Sequence, residues 1–301
     1  MSEPVECSSG ETARQLWENN WKATPGSFDE RTNFWVNTDR VKYKFVRRLI
    51  DCVDSQGPAL EVGCGTATIS SWLHKDTLMS IYILDLSREA LGLAVPRFHA
   101  SQGSKRFLAI QGNAFHIPFQ DDSFSFVHSY GLLEHFGDLT PVVREMVRVL
   151  RPGGVFFADI APRKFSLDLL FDLFLLPPYI AMMGIRYCLC REPSFRSELL
   201  RRVGEWRYLF SFFFEGQSRP NKFATGGFES RLDCHRLEEF LTDECSLTSI
   251  RMTGSMLLPS NLYRVLWRMS PGIHRWIQGI TENKRWTIPC ASGIWVSGRK
   301  L

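Results

Sequence analysis

The segment Glu61-Val62-Gly63-Cys64-Gly65-Thr66 has the residue types and spacing that a small-molecule site uses. It follows a short apolar run, Ala59 to Val62, and opens a helical pattern, so it reads as strand, turn and helix. Glycine in such a turn admits positive φ and lets the backbone come close to a ligand. Glu61, at the strand end, can hold a cationic amino group. A purely structural tight turn would use the same glycines. Asp85, in ILDLS, closes the next apolar run and lies 22 residues past Gly63. At an interval of about 20 residues the acid of a Rossmann-type unit meets a ribose hydroxyl. Asp85 and Ser87 are also helix N-cap types. Paired with the glycine turn, Asp85 reads as a ribose ligand.

Four segments in order resemble the class I methyltransferases that use S-adenosylmethionine (SAM), and within them the type 11 group that includes the ubiquinone/menaquinone-type enzymes. They are LEVGCGTA at 60–67, LDLSREAL at 84–91, GNAFHIPFQDDSFSFVHS at 112–129, and LLEHF at 132–136 with EMVRVLRPGG at 145–154. Together they span about 59–160. The resemblance implies that Glu61, Gly63 and Gly65 line the methionine end of SAM. It implies that Asp85 takes the ribose hydroxyls and that Leu86 packs on the adenine. Asn113 and Ala114 then meet the adenine edge, and Ser129 lies near the methionine part. The family often has Asp where this chain has Asn113, whose amide oxygen can still accept from an adenine amino group. The family's third loop glycine is Ala67 here, which a negative φ would accommodate.

Methyl transfer from a sulfonium is an in-line displacement with a good leaving group. The protein must mainly align the nucleophile and exclude water. A base is required only where the acceptor carries a proton of high pKa. Glu134 and His135 follow the fourth strand on the side where an acceptor would lie, and His135 is the leading candidate base. The same pair can simply shape its loop by local hydrogen bonds. His116 and His128 read as structural, and Tyr130 as a pocket border or a packing residue.

The elements that must position these groups alternate. Strands are predicted at 59–62, 79–84, 107–111, 124–130 and 155–160, with helices at 66–73, 88–100 and 141–150, the last stopped by Arg151-Pro152-Gly153-Gly154. Alternation of this kind implies a parallel sheet with right-handed crossovers. It lapses from 161 to 230 and resumes with an amphipathic helix at 231–245 and strands at 247–252 and 293–298, the last expected antiparallel. The expected fold is α/β, a Rossmann-like, seven-stranded, mostly parallel sheet with helices on both faces and helical cap insertions. The expected division is an N-terminal helical segment at 1–55, a SAM-binding core at 56–160, a cap at 161–230, and a C-terminal part of the sheet at 231–301 with an insertion at 254–290.

The chain has 301 residues, a net charge of +4 and eight cysteines without a CxxC pair. A charge this mild, with no appended RNA-binding module, argues against nucleic acid as a partner. No zinc motif and no other metal motif is present. Cys188 and Cys190 would share one face of a strand. Without a secretory signal at the polar N-terminus, the cysteines read as reduced and the protein as cytoplasmic, with a peripheral membrane contact open. That contact would run through 165–187, an apolar stretch interrupted by Asp168, Asp172 and Pro177-Pro178, too broken to span a bilayer. Phe, Leu, Trp and Arg in the insertions suit a small-molecule or lipid-linked methyl acceptor. Two other readings stand beside this one: a SAM-binding regulator or scaffold without catalysis, and an NAD(P)-dependent oxidoreductase, against which Thr68 stands where G-x-G-x-x-G needs its third glycine.

Overall fold

The computed structural model describes residues 10–22, 34–51, 57–99, 106–161, 166–190, 193–210, 233–258, 260–281 and 284–301. The polar start of the chain and residues 162–165, 191–192 and 211–230 of the expected cap lie outside the described residues. Seven strands form one sheet: β1 (Ala59–Val62), β2 (Ile81–Asp85), β3 (Phe107–Gln111), β4 (Phe124–Tyr130), β5 (Leu150–Ile160), β6 (Leu247–Ser255) and β7 (Gly293–Lys300). Their order is β3-β2-β1-β4-β5-β7-β6. The five strands from β3 to β5 run parallel, and β7 is antiparallel to both β5 and β6.

Both faces of this sheet are covered, which is why its central strands read as continuous apolar runs rather than alternating ones. On one face Leu60, Val62, Val127 and Phe156 pack against α6 (Thr140–Arg148) and α9 (Cys234–Glu239). On the other, Ala59, Ile81, Ile83, Phe126 and Phe157 pack against α2 (Phe34–Ile50), α3 (Thr68–Asp76), α4 (Arg88–Ala94) and α5 (Pro96–His99). The N-terminal helix α1 (Gly10–Lys22) contacts α4. Two helices, α7 (Leu167–Cys190) and α8 (Pro193–Phe210), pack on each other through Leu173, Leu176, Ile180 and Trp206. A second pair, α10 (Ser260–Met269) and α11 (Pro271–Thr281), separates β6 from β7 and docks on α2. No described helix is long and apolar enough to cross a membrane.

Four expectations are corrected. The helix predicted at 66–73 begins at Thr68, because Thr66 and Ala67 still belong to the turn. The helix predicted at 88–100 is two, divided before Pro96, whose missing N–H starts the second helix rather than continuing the first. The Arg151-Pro152-Gly153-Gly154 run does not lie outside the strands. It bulges out of β5, since Phe124 pairs with Leu150 but Phe126 pairs with Val155, and Gly153 takes φ 74° in the bulge. Cys188 and Cys190 lie on helix α7, not on a strand.

Candidate functional site

Sheet topology decides where a ligand can sit. β1 has β2 on one side and β4 on the other, so the chain's direction of winding reverses between β1 and β4. In open α/β sheets ligands bind at such a reversal, outside the C-terminal strand ends. Those ends carry Glu61 (β1), Asp85 (β2), Ser129 and Tyr130 (β4) and Asp159 (β5). The register places Tyr130 beside Asp159 and Ser129 beside Ala158.

The turn after β1 is held by hydrogen bonds to the next strand. Gly63 and Cys64 both donate their N–H to the Leu84 carbonyl, at 2.8 and 3.1 Å. The Asp85 carboxylate accepts from the Gly65 N–H with one oxygen and from the Ser87 N–H with the other, both at 2.8 Å. Asp85 therefore ties the glycine turn to the start of α4. The N-cap itself is Ser87, whose hydroxyl accepts from Ala90 N–H. Gly63 has φ 67° and Gly65 φ 49°. A Cβ on Gly63 would lie 2.6 Å from the Leu132 side chain, and one on Gly65 would lie 2.8 Å from the Trp21 indole. Close approach is thus required by the chain's own side chains as well as by any ligand. Ala67 departs from expectation: its φ is 48°, in the left-handed region, not negative. The turn needs that conformation to lead into α3, so the residue that lacks glycine's freedom carries the strain.

Burial of charge dominates the electrostatics. Glu61 is 2% exposed, its Oε2 makes no hydrogen bond, and burial pushes its pKa up to about 8 despite a bond from Ser70. Glu134, also 2% exposed with Oε2 unpaired, is pushed up to about 8 by the same cause, although Ala161 donates a backbone N–H to it. Asp85 is raised by burial against three backbone N–H bonds. Asp39, on α2, is raised chiefly by burial, which Lys42 opposes. Lys42 Nζ lies 2.5 Å from Asp159 and 3.5 Å from Asp39, and 5.2 Å above the Tyr130 ring. Arg97, on α5, acts on Asp39 and Glu61. Five carboxyls thus share the site with two cations, Lys42 and Arg97. Alternation along the strands puts Glu61, Tyr130 and Asp159 on the α2 side of the sheet. Ser129, fully buried with its hydroxyl unpaired, is on the other.

The remaining predicted residues flank this centre. Leu86 is half-buried and its carbonyl accepts from Gln111. Asn113 is half-buried, its side-chain oxygen accepting from Phe115 N–H, and Ala114 is buried beside it. Glu134 and His135 stand on a short 3-10 turn, Leu133–His135. They diverge: Glu134 joins the buried carboxyls, while His135 packs edge-on against Trp17 of α1, ring centres 4.7 Å apart. His116 is exposed. His128 stacks on Phe126 and is held neutral by burial, which lowers its pKa to about 3. Sequence reasoning missed Asp39, Lys42, Arg97 and Asp159. Asp159 had a signal, since VFFADI ends a buried strand with an acid as ILD does at Asp85. Asp39 and Lys42 stand i, i+3 on one helix face, but nothing in the sequence says that this face meets the strand ends.

A buried cluster of carboxyls with unpaired oxygens at the strand ends suits a ligand that brings positive charge. SAM carries an ammonium and a sulfonium, so these residues fit it. Residues 60–158 match the family described as "Methyltransferase domain". The methyltransferase GfsG of Streptomyces halstedii is 36% identical over 105 residues, which is 35% of this chain and 38% of that protein. The demethylmenaquinone methyltransferase of Bacillus mycoides is 32% identical over 115 residues, 37% of this chain and 47% of the relative. The matches thus span less than half of each relative's length. A solved SAM-dependent methyltransferase of Thermotoga maritima, described as a possible histamine N-methyltransferase, superposes with a TM-score of 0.50 at 13% identity. The superposition covers 96% of this chain and 99% of that one. At that identity the likeness is one of fold.

Two consequences for stability follow. Lys42→Met leaves Asp159 and Asp39 without their shared cation and lowers unfolding stability by about 3 kcal/mol, the low end for a broken buried pair. Adding Asp159→Leu restores most of it, and equilibrium urea unfolding of the single and double variants measures both. Ala67→Gly relieves the left-handed strain and raises stability by about 0.5–1 kcal/mol. A drop in the urea midpoint for that variant would contradict the strain.

Proposed function

We propose that this chain, whose residues 60–158 match the methyltransferase-domain family, is a class I SAM-dependent methyltransferase of the type 11 group that transfers a methyl group to a small organic acceptor of apolar or lipid-linked character. The observation that carries the reading is the match between five carboxyls clustered at the sheet's switch point and a cofactor with two positive centres. When bound, SAM supplies an activated methyl group on a sulfonium. The chain's own residues do the rest. Glu61 holds the ammonium, Gly63 and Gly65 let the backbone approach, and Asp85 holds the ribose while keeping the turn closed. Leu86, Asn113 and Ala114 bound the adenine. Ser129 sits at the methionine end.

On the acceptor side Glu134 is the better placed of the two candidate bases, because it faces the buried cluster whereas His135 is engaged with Trp17. Burial raises the Glu134 pKa to about 8, with Lys42 opposing it only weakly, so Glu134 acts as a base only once it has lost its proton. The acceptor enters from the α7–α8 side, whose first helix starts close after Ala161, the partner of Glu134. α7 exposes Phe174, Leu175, Tyr179, Met182 and Ile185, a face suited to apolar acceptors or to peripheral contact with a membrane. The side chains of Asp168 and Asp172 lie outside the described residues. The names of the menaquinone-type relatives are consistent with an apolar acceptor. Cytoplasmic placement belongs to the same proposal.

Calorimetry with SAM tests the cofactor site. Without a cation, Glu61 and Glu134 rest near pKa 8, so below that pH binding must expel a proton. Affinity therefore rises with pH between about 6 and 7.5, by about tenfold per unit for each carboxyl that must ionise. Above that window the α-amino group of SAM begins to lose its own charge, near pKa 7.7–8.0. Glu61→Gln binds more weakly and with a shallower slope, and Gly63→Arg does not bind. Folded wild-type protein that ignores SAM at every pH would sink the proposal. SAM binding without turnover on lipophilic and phenolic acceptors would favour the regulator or scaffold instead.

A further inference from the structure

The α10–α11 hairpin turns a mixed side inward: His274 and Gln278 are buried, Asn37 of α2 lies 2.8 Å from the His274 ring, Arg275 donates to Asn37 at 2.6 Å, and the fully buried Tyr263 meets Thr281 with its hydroxyl at 2.9 Å. Its outward side is apolar. Leu262, Val265 and Met269 stand at i, i+3 and i+7 on α10, and Ile273, Trp276 and Ile280 repeat that spacing on α11. All six are exposed, Met269 by 72% and Trp276 by 67%. That spacing makes one stripe per helix, and two adjacent stripes make a patch of the kind soluble proteins rarely leave open.

Charge identifies what covers it. Residues 260–281 contain Arg264, Arg268 and Arg275 and no Asp or Glu. Arg264 and Arg268, both exposed, lie i, i+4 along the flank of the α10 stripe, with exposed Lys284 just beyond the hairpin. Long basic side chains beside an apolar stripe can reach the headgroup level while the stripe enters the acyl boundary. Exposed Trp276, and Trp286 at 72%, are the aromatic types that settle at that interface. Basic residues near an anionic surface are drawn to it, and the attraction is screened by salt.

We propose that the α10–α11 hairpin is an interfacial anchor that seats this protein on an anionic phospholipid surface. Asn37 fixes the hairpin to α2, and Asp39 and Lys42 stand within about one and a half turns of it on the same helix, so the anchor is attached rigidly to the candidate site. The inference stands on the hairpin alone and holds whichever reaction the site performs.

The test is co-sedimentation of the full chain with vesicles of phosphatidylcholine alone and of phosphatidylcholine with one-fifth phosphatidylglycerol. The anionic vesicles retain the wild type at low salt, and binding falls at least tenfold for the double variant Met269→Glu/Trp276→Glu. Arg264→Gln/Arg268→Gln weakens binding several-fold and flattens its salt dependence. Far-UV circular dichroism and thermal unfolding of both variants match the wild type and report that they are folded. Three results overturn the proposal: no retention of the wild type on anionic vesicles, retention that survives both variants, or retention abolished by Phe174→Glu/Met182→Glu on α7 while the hairpin variants still bind. A stable dimer in analytical ultracentrifugation that Met269→Glu/Trp276→Glu dissociates, with no vesicle binding, overturns it as well and assigns the patch to a second copy.

Discussion

The Asp85 carboxylate commits one oxygen to the Gly65 N–H and the other to the Ser87 N–H, and the site depends on that double tie. One side chain fixes the exit of β1, the exit of β2 and the start of α4 relative to one another. Two charge-assisted bonds from backbone amides are strong enough to offset much of the cost of burying the carboxylate, which is why Asp85 tolerates a 7% exposed position. The Leu86 N–H adds a third backbone contact to the same carboxylate. A residue that reads as a ribose ligand is therefore also the clamp of the loop, and removing it would act on binding and on loop shape together.

Once the loop is clamped, the arrangement of acids at the strand ends becomes an electrostatic problem. Lys42 resolves part of it by bridging Asp159 and Asp39, and Arg97 acts on Asp39 and Glu61. Glu61 Oε2 and Glu134 Oε2 keep no partner, and their raised pKa values express that deficit. Unpaired buried carboxyls are costly to a fold that gains nothing from them. A ligand that brings positive charge to these oxygens would offset that cost, which is why the carboxyl cluster suits a cation.

The sequence was legible where physics is local. The strands at 59–62 and 124–130 are found where the apolar runs put them, because a strand buried on both faces is mostly apolar, and the edge strand at 107–111 is found at its own short run, FLAIQ. The glycine turn and the acid 22 residues on were readable because a tight turn and a strand end leave few residue types that fit. Legibility failed where contacts are long-range. Asp39 and Lys42 reach the site only because α2 packs across β5 and β7, Phe45 meeting Phe157 and Trp295, a fact carried by the whole sheet and not by residues near 39. Ala67 failed for the opposite reason: a local rule favoured negative φ for alanine, and the path from β1 into α3 overrode it. The bulge in β5 was hidden because Arg-Pro-Gly-Gly stops a helix and loops out of a strand with equal ease.

The hairpin shows why polarity patterns need a structure to be oriented. Either of its helices, read alone, is an ordinary amphipathic helix whose apolar stripe ought to face the core. The core instead takes Tyr263, His274 and Gln278, because Asn37, fully buried on α2, demands hydrogen-bond partners, and His274 and Arg275 supply them. A buried amide left unpaired would cost about 1–3 kcal/mol, and the pairing decides which face turns inward. The apolar stripes are then forced outward beside a flank of arginines. The same helix that carries Asn37 carries Lys42 toward Asp159, so the orientation of the anchor and the closing of the charged cluster are two results of where α2 lies.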